Sequence, residues 1–107
     1  MKLLEYQAAD GRSPFGDWFD ALDANAAAKI VVSLNKLAQG NLSQLKSVGG
    51  GVMEQRIDWG PGYRIYLGRD GKALILLLTG GTKHRQQRDI ENAQDFWRDY
   101  KKRKKGI

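Results

Sequence analysis

Hydrophobic residues recur at helical spacing in three parts of this chain and at alternate positions in others. The first helical stripe consists of Phe15, Trp18, Phe19 and Leu22, at positions i, i+3, i+4 and i+7. Ser13 followed by Pro14 predicts where this helix begins, because serine caps helix N-termini and proline is favoured at the first helical position. The stripe predicts a short amphipathic helix whose apolar face packs on a core.

Two more helices are predicted in the same way. The second has the stripe Ala27, Ile30, Val31, Leu34 and Leu37. Asn25 is its predicted N-cap, and Gly40 is the predicted left-handed residue just past its end. The first two helices should therefore form a helical hairpin. The third helix is predicted from about residue 86 to 103. Its basic end is expected to fray into a solvated tail over 101–107.

Between the second and third helices the hydrophobic period changes to two. From residue 52, Glu54, Arg56 and Asp58 share one face of a predicted strand. A Gly-Pro-Gly turn at 60–62 and an Asp-Gly turn at 70–71 connect it to two further strands. The last strand, 73–79, is apolar on both faces and should lie centrally.

With a short opening strand at 2–7 and a polar connection at 41–50, the order is β-α-α-β-β-β-α. This order predicts an α+β fold with a small, mostly antiparallel sheet, the helical hairpin on one face and a C-terminal helix. At 107 residues the chain is long enough to bury one core and too short for two, so a single domain over 1–107 is predicted.

Composition narrows the possible chemistry. The chain has no cysteine and one histidine, His84, so it has no disulfide framework, no thiol nucleophile and no histidine cluster for a metal. No apolar run approaches the ~20 residues needed to span a bilayer. The N-terminal residues lack the pattern of a signal peptide. We therefore expect a cytoplasmic protein that uses no metal or cofactor and does not enter a membrane.

The net charge of +6 is concentrated near the C-terminus. Residues 1–82 hold nine Lys and Arg against eight Asp and Glu, whereas residues 83–107 hold nine against four. Three basic side chains, Lys83, His84 and Arg85, lie in the turn between the apolar strand and the last helix. Such a patch suits a polyanion, although an acidic protein partner would fit its charge equally well.

Several motifs in a fixed order carry a resemblance to a known family. They are GVMEQRI at 51–57, GPGYRIY at 60–66, GGTK at 80–83 and QQRDI at 86–90. Together with the predicted element order, they make the chain resemble toxins of the RelE/HigB type. The similarity is greatest to the branch called addiction-module killer proteins, or phage-derived Gp49-like proteins, and it covers nearly the whole chain.

The resemblance implies a RelE-like fold and a toxin of a type II toxin-antitoxin system. Such toxins are neutralised by a cognate antitoxin, in this branch a helix-turn-helix protein, and commonly cut messenger RNA in the 30S A site of the ribosome. A ParE-like branch instead inhibits DNA gyrase. Arg64 corresponds to a catalytic arginine of RelE-type nucleases, and Arg56 and Lys83 correspond more loosely. Where RelE has a lysine pair and a C-terminal tyrosine, this chain has Glu54 and Arg56, and Tyr100 within a helical stripe.

Cleavage of RNA by its own 2′-hydroxyl needs stabilisation of negative charge on the phosphate and movement of two protons. Arg56, Arg64 and Lys83 are the predicted phosphate-binding groups, because guanidinium groups stay charged and offer paired donors. For proton transfer, Glu54, His84 and a lysine with a lowered pKa remain open. Glu54 is alternatively an ion-pair partner that orients Arg56, and His84 an exposed loop residue.

Further side chains are candidates for holding RNA. Trp59 and Tyr63 flank the Gly-Pro-Gly turn and are suited to stacking on bases, with edge packing as the alternative for Trp59. The basic candidates are Lys46, Arg85, Lys101 and Lys102. The leading hypothesis is a metal-independent endoribonuclease toxin. A gyrase inhibitor without enzymatic activity and an inactive RNA-binding module are the alternatives.

Overall fold

The computed structural model describes residues 1–105 and has an α+β architecture with one five-stranded sheet. The strands are β1 (Lys2–Glu5), β2 (Lys46–Gly49), β3 (Val52–Ile57), β4 (Tyr63–Asp70) and β5 (Leu74–Thr82). The helices are α1 (Pro14–Asp20), α2 (Ala24–Ala38) and α3 (Gln86–Lys105), and a 3₁₀ turn (Lys83–Arg85) joins β5 to α3. The predicted α+β class and the predicted order of helices are confirmed.

The sheet has the order β1-β5-β4-β3-β2, in which β1 runs parallel to β5 and every other pairing is antiparallel. The apolar strand β5 lies inside the sheet, as predicted. Strand β2 lies in the segment that was expected to be a polar connection. It is short, and only Val48 among its side chains is even partly buried, so it carries no alternating hydrophobic pattern.

Capping explains where the first two helices begin. The Ser13 hydroxyl accepts a hydrogen bond from the backbone N–H of Gly16 at 2.9 Å, which confirms the predicted start of α1. Helix α2 is capped by Asp23, whose Oδ1 accepts from the N–H of Ala26 at 2.8 Å, so the prediction of Asn25 as its cap was wrong. Gly40 has a φ of +85°, the left-handed conformation expected just past the helix.

Helix α2 begins earlier than predicted, and a different set of its residues faces the sheet. The buried residues of α2 are Ala26, Ile30, Ser33 and Leu37. Val31, predicted to belong to the apolar stripe, is exposed, because the buried face is centred one position earlier along the helix. A polar residue, Ser33, therefore points to the interior at a place where the hydrophobic pattern gave no signal.

Each face of the sheet has its own core. Helices α1 and α2 cover one face, where their side chains pack on Ile65, Leu67 and Leu77. Helix α3 covers the other face, where Ala93 and Trp97 pack against Tyr66 and other residues of β4 and β5. The direction of α3 across the sheet places its N-terminal end beside the start of β4 and the end of β5, where the site described below lies.

A β-bulge in β5 changes which face its last residues occupy. Tyr66 of β4 pairs with Thr79, while the next residue, Leu67, pairs with Leu77, so Leu78 is an extra residue in β5. Beyond it, Gly80 lies under the Trp18 ring of α1, and Gly81 lies against Asp89 of α3. The bulge thus resets the alternation of β5 immediately before the cationic turn.

Gly80 is required by this close approach, which gives a first testable prediction. A β-carbon at position 80 would lie 2.2 Å from Cε3 of Trp18, closer than van der Waals contact allows. Replacing Gly80 by alanine should therefore lower the free energy of unfolding by about 1–3 kcal/mol, the usual cost of overpacking a core. Urea denaturation measures this change. Adding Trp18→Leu to Gly80→Ala should cost less than the sum of the two single changes, and strict additivity would contradict the clash.

Helix α3 continues further than the sequence predicted. It remains helical through Lys105, whereas a frayed tail was expected from residue 101. Ion pairs of Arg103 with Asp99, at 2.8 Å, and of Lys104 with Asp70, at 2.6 Å, hold the last turns against the rest of the helix and the sheet. The end of the predicted tail, 106–107, lies outside the described residues. Within 1–105, no helix has the length and apolarity needed to cross a bilayer.

Candidate functional site

An open cavity lies at the end of the sheet where β3 ends, β4 begins and β5 gives way to the cationic turn. Its volume is about 310 Å³, and the Gly-Pro-Gly turn at 60–62 forms part of its wall. The other lining residues are Arg56, Asp58, Trp59, Tyr63, Arg64 and Lys83. Five of these six are predicted site residues, brought together from three separate segments of the chain. We call this cavity the cationic cavity.

Backbone pairing fixes the geometry of its wall. Arg56 lies directly opposite Arg64 in the β3–β4 register, so the two cations share one face of the sheet. The N–H of Lys83 donates to the carbonyl of Gly62 at 2.9 Å and thereby ties the cationic turn to the Gly-Pro-Gly turn. The three predicted phosphate-binding residues are therefore held together by strand pairing and a turn-to-turn hydrogen bond.

Like charges placed opposite each other in a sheet repel, and each arginine here has a carboxylate partner. Arg64 Nε lies 3.5 Å from Glu54 Oε2, and the two side chains are only 6% and 2% exposed. Arg56 instead pairs with Asp58 at 3.3 Å on the exposed surface. The prediction that Glu54 orients Arg56 was therefore wrong. Glu54 is the partner of Arg64, because both side chains are buried, whereas the Arg56 side chain is exposed to solvent.

Glu54 belongs to a small buried network behind Arg64. Its Oε2 accepts a hydrogen bond from Gln86 Nε2 at 2.9 Å, which connects the first turn of α3 to the sheet. Arg64 Nη1 donates to the carbonyl of Gly62 at 3.3 Å, so the guanidinium is anchored at both ends. Glu54 does not line the cationic cavity. It is placed to position Arg64 rather than to touch a ligand.

The sequence did not single out Tyr66 or Gln86, although both belong to this network. Tyr66 lies opposite Glu54 in the register and is fully buried, and its hydroxyl has no hydrogen-bond partner among residues 1–105. Burial, followed by the Glu54 carboxylate, raises the pKa of Tyr66. Tyr66 lies two residues after Arg64, on the same face of the strand. This spacing is the signal in the sequence that could have identified Tyr66 as a member of the network.

Asp89 approaches the network from the first helical turns of α3, beside Gly81. Burial raises the pKa of its carboxyl, while the charges of Arg85 and Arg88 act in the opposite direction. These two arginines and Asp89 show that the start of α3 is not uniformly cationic.

The two predicted aromatic residues have different surroundings. Tyr63 is buried between two tryptophan rings: it stacks on Trp59 with ring centroids 6.2 Å apart and meets Trp18 edge-on at 6.3 Å. Trp59 is 36% exposed, and Lys29 Nζ lies 5.8 Å from the centroid of its ring. Trp59 is therefore the aromatic group that a ligand can reach, and Tyr63 supports it.

The remaining predicted residues lie outside the cationic cavity. His84 and Arg85 are exposed in the 3₁₀ turn that follows Lys83, and Lys46 is exposed on the edge strand β2. Lys101 and Lys102 are near the far end of α3. They are roughly 25 Å from the cationic turn along the helix axis, at 1.5 Å per residue. The predicted basic residues thus form separate patches rather than one.

Tyr100 also lies far from the cavity, at the opposite end of β4. Its hydroxyl donates to Asp70 Oδ2 at 2.6 Å, and its ring stacks on Trp97. The hydrogen bond to Asp70, followed by burial, raises the pKa of Tyr100 to about 12. The hydrogen bonds from Lys104 and Tyr100 hold the pKa of Asp70 below its ordinary value. Tyr100 is a structural link between α3 and the sheet.

This link should be visible in the pH dependence of stability. Since the folded pKa of Tyr100 exceeds that of a free tyrosine, about 10, the stability it contributes is complete below pH ~10 and is lost as the pH rises through 12. Tyr100→Phe should therefore reduce the loss of unfolding free energy between these pH values, as measured by urea denaturation at several pH values. An unchanged slope would show that Tyr100 titrates normally.

The protein has an α+β fold with a cavity lined by three cations, Arg56, Arg64 and Lys83, at one end of a mixed sheet, which makes this cavity a candidate anion site. No known family model matches the chain. It is 42% identical over 81 residues to an uncharacterized protein of Haemophilus influenzae (strain KW20 / Rd), a match that covers 75% of this chain and 82% of that protein. The chain belongs to the same family as that protein.

Proposed function

We propose that this protein is an endoribonuclease toxin of the RelE/HigB type, with a RelE-like fold and an active site in the cationic cavity. The observation that carries the proposal is the convergence of Arg56, Arg64 and Lys83 around one open cavity beside an exposed tryptophan. Arg56 and Arg64 come from the two paired strands of one hairpin, and Lys83 comes from the turn after β5. Their combination suits a phosphodiester whose neighbouring base can stack.

In the proposed reaction the 2′-hydroxyl of RNA attacks the adjacent phosphorus, and the bond from phosphorus to the 5′-oxygen breaks. The products are a 2′,3′-cyclic phosphate and a 5′-hydroxyl. The phosphate gains negative charge in the transition state, and the donors of Arg64 and Arg56 stabilise it. Arg64 is held by Glu54 and the Gly62 carbonyl, so its orientation is set before substrate binds.

The groups that transfer protons should be charged residues of the cavity wall other than arginine, because guanidinium groups stay protonated. Asp58 and Lys83 meet this description, whereas Glu54 and His84 do not line the cavity. We assign Asp58 as the acceptor of the 2′-hydroxyl proton and Lys83 as the donor to the departing 5′-oxygen, without a metal or cofactor. Arg56, 3.3 Å from Asp58, keeps that carboxylate beside the phosphate site.

The proposed setting is the cytoplasm, where messenger RNA occupies the 30S A site during translation. In this proposal, exposed basic residues outside the cavity would contact ribosomal RNA; they are Lys46, His84, Arg85, Lys101 and Lys102. A cognate antitoxin, a helix-turn-helix protein by the family resemblance, would neutralise the toxin by covering the cationic cavity.

The test is to express the protein in antitoxin-free cells and map new 5′ ends of messenger RNA at nucleotide resolution. The wild type should produce codon-phased 5′-hydroxyl ends and arrest growth. The double variant Arg56→Ala/Lys83→Ala should produce neither. Lys72→Ala/Arg98→Ala is the matched control, because it removes the same charge from exposed positions outside the cavity and should keep the wild-type pattern.

Other results would overturn the proposal. Growth arrest without new ends would contradict nuclease activity and favour gyrase inhibition, which supercoiling assays then measure directly. Cleavage that survives in the Arg56→Ala/Lys83→Ala variant would place the active site elsewhere. Protein levels are matched by immunoblot, so that a loss of ends is not a loss of protein.

A further inference from the structure

A second cavity adjoins the cationic cavity on the other side of Trp59. It has a volume of about 350 Å³ and lies between α2 and the end of β3. The two cavities share Arg56, Asp58 and Trp59 as a common wall. A ligand anchored by its phosphate in the cationic cavity can therefore extend into the second one, whose size is near the lower limit for small-molecule sites.

The wall of the second cavity contains two buried polar side chains with unused hydrogen-bonding capacity. Ser33 is 6% exposed and Gln55 is 4% exposed. Among the residues described, neither Ser33 Oγ nor Gln55 Oε1 has a hydrogen-bond partner, although Gln55 Nε2 donates to Gln44 Oε1 at 3.2 Å. Buried polar atoms are nearly always paired in folded proteins, so these two oxygens are available as acceptors for a molecule that enters the cavity.

The charges and the aromatic group around this cavity indicate what kind of ligand it is. Lys29 and Lys36 of α2 line it together with Arg56, against one carboxylate, Asp58. Trp59 supplies a partly exposed indole ring, now approached by the Lys29 ammonium. Cations suit a phosphate, and an indole face suits a base, because every base has a π-face that stacks on aromatic side chains.

We propose that the second cavity is a nucleobase subsite for the nucleotide whose phosphate occupies the cationic cavity, a proposal that rests on the function proposed above. The base packs on Trp59, and Lys29 moves from the ring to the phosphate. The Watson–Crick edge of the base supplies an N–H to Gln55 Oε1 and a second polar group to the Ser33 hydroxyl. Every nucleobase has a donor beside an acceptor on this edge.

Both oxygens are shielded from solvent in the free protein, so a base reaches them only when side chains of the wall change rotamer. The exposed members of the wall, Lys29, Val32 and Lys36, have the freedom to do so. The order and position of donor and acceptor along the Watson–Crick edge differ among the bases, so a base with the wrong order leaves a buried oxygen unpaired, which carries an energetic penalty and allows discrimination.

An acidic peptide is the main competing ligand, because β3 has a free edge here. Strand β2 pairs with β3 only as far as Glu54, which leaves 55–57 without a neighbour on that side. Three residues are too few for the typical added strand of about five or six. The compact cavity and the indole ring therefore favour a single nucleotide over an extended peptide.

The first test is a titration of isotope-labelled full-length protein by NMR with the four 5′-nucleoside monophosphates. Inorganic phosphate and a short acetylated Asp-Gly repeat peptide are the comparison probes. We expect at least one nucleotide to shift the backbone amide of Ser33, the side-chain amide of Gln55 and the indole N–H of Trp59. Phosphate alone should shift residues of the cationic cavity and leave Ser33 and Gln55 unchanged.

Ser33→Ala removes one unpaired oxygen, and Gln55→Leu removes the other together with the Nε2 that donates to Gln44; both keep the side-chain bulk close to the original. Each should raise the dissociation constant of the preferred nucleotide about three- to tenfold. The dissociation constant of inorganic phosphate should not change. Shifts of Ser33 and Gln55 by the peptide but by no nucleotide would overturn the proposal, as would identical nucleotide affinity in both variants and the wild type.

The mapped 5′ ends separate this proposal from the nuclease proposal. If both are right, Gln55→Leu keeps cleavage but broadens the distribution of bases at the cut site. If the wild type cuts no RNA yet a nucleotide binds at Ser33 and Gln55, the nuclease function fails and the base site stands. If the wild type cuts RNA with the same base distribution as Gln55→Leu, the base subsite fails and the nuclease function stands.

Discussion

Replacing Arg64 by lysine should lower the rate of messenger RNA cleavage by about 10²–10³, the usual effect of losing one preorganised donor to a developing oxyanion. Lysine keeps a positive charge beside Glu54, so the buried carboxylate is not left without a partner. It lacks the planar group that simultaneously reaches the Gly62 carbonyl and lines the cavity. Single-turnover cleavage on programmed ribosomes, with protein in excess, measures the change.

Arg12→Lys is the matched control for this experiment. Arg12 also pairs with a carboxylate, Asp17, at 3.1 Å, but both side chains are exposed and neither lines the cationic cavity. The Arg12→Lys variant should cleave at the wild-type rate. A folded Arg64→Lys variant that also retains the wild-type rate would remove Arg64 from the reaction and contradict the assignment.

Replacing Glu54 by alanine should lower the free energy of unfolding by about 3–5 kcal/mol, because it leaves the Arg64 cation buried without its partner. The substitution also removes the acceptor of the Gln86 side chain and so weakens the connection between the sheet and α3. Urea denaturation followed by circular dichroism measures the change. The size of the effect depends on burial: the Glu54 and Arg64 side chains are 2% and 6% exposed.

The exposed ion pair of Arg56 and Asp58 provides a comparison for the buried pair of Glu54 and Arg64. Arg56→Ala breaks the pair with Asp58 on the surface, where such pairs contribute about 1 kcal/mol or less. The double variant Glu54→Met/Arg64→Met should recover much of the stability lost in Glu54→Ala, because no charge is then left unpaired in the interior. A small effect of Glu54→Ala would mean that water reaches Arg64 in solution.

The parts of the fold that short-range chemistry determines were predictable from the sequence. The start of α1 follows from Ser13 and Pro14, and the end of α2 from Gly40, because each depends on a few neighbouring residues. The choice between Asp23 and Asn25 as the α2 cap was not predictable in this way. Both residue types cap helices well, and the structure uses the one that brings Ala26 and Ile30 onto the sheet.

Strand β2 was missed because its stability comes from its neighbour. It leads into β3 through a turn of three glycines with positive φ, at 49–51, and pairs with β3 at the edge of the sheet. An edge strand with one half-buried side chain carries little hydrophobic alternation, so its pairing depends on a tertiary contact. Lys46 is the first residue of β2, so the pairing of β2 with β3 places it on this edge of the sheet and outside the cavity.

In the site, the sequence predicted which side chains would meet but not how they pair. Turn chemistry and strand alternation placed Arg56, Arg64 and Lys83 at one end of the sheet, where the structure has them. The pairing of Glu54 with Arg64 depends on α3 covering one arginine and leaving the other exposed. Ser33 and Gln55 gave no signal, because a buried polar residue is recognised only once its partners are known.

The extra residue in β5 determines which face of the sheet is occupied by the residues that lead into the cationic turn. With regular pairing throughout, each residue after Leu78 would face the opposite side of the sheet. Gly81 would then turn towards α1 and away from Asp89, whereas the bulge keeps it on the α3 face opposite Arg64. A relative that lacks this extra residue would reach the same arrangement by regular pairing, so a single-residue gap at position 78 should accompany loss of the bulge without loss of the site.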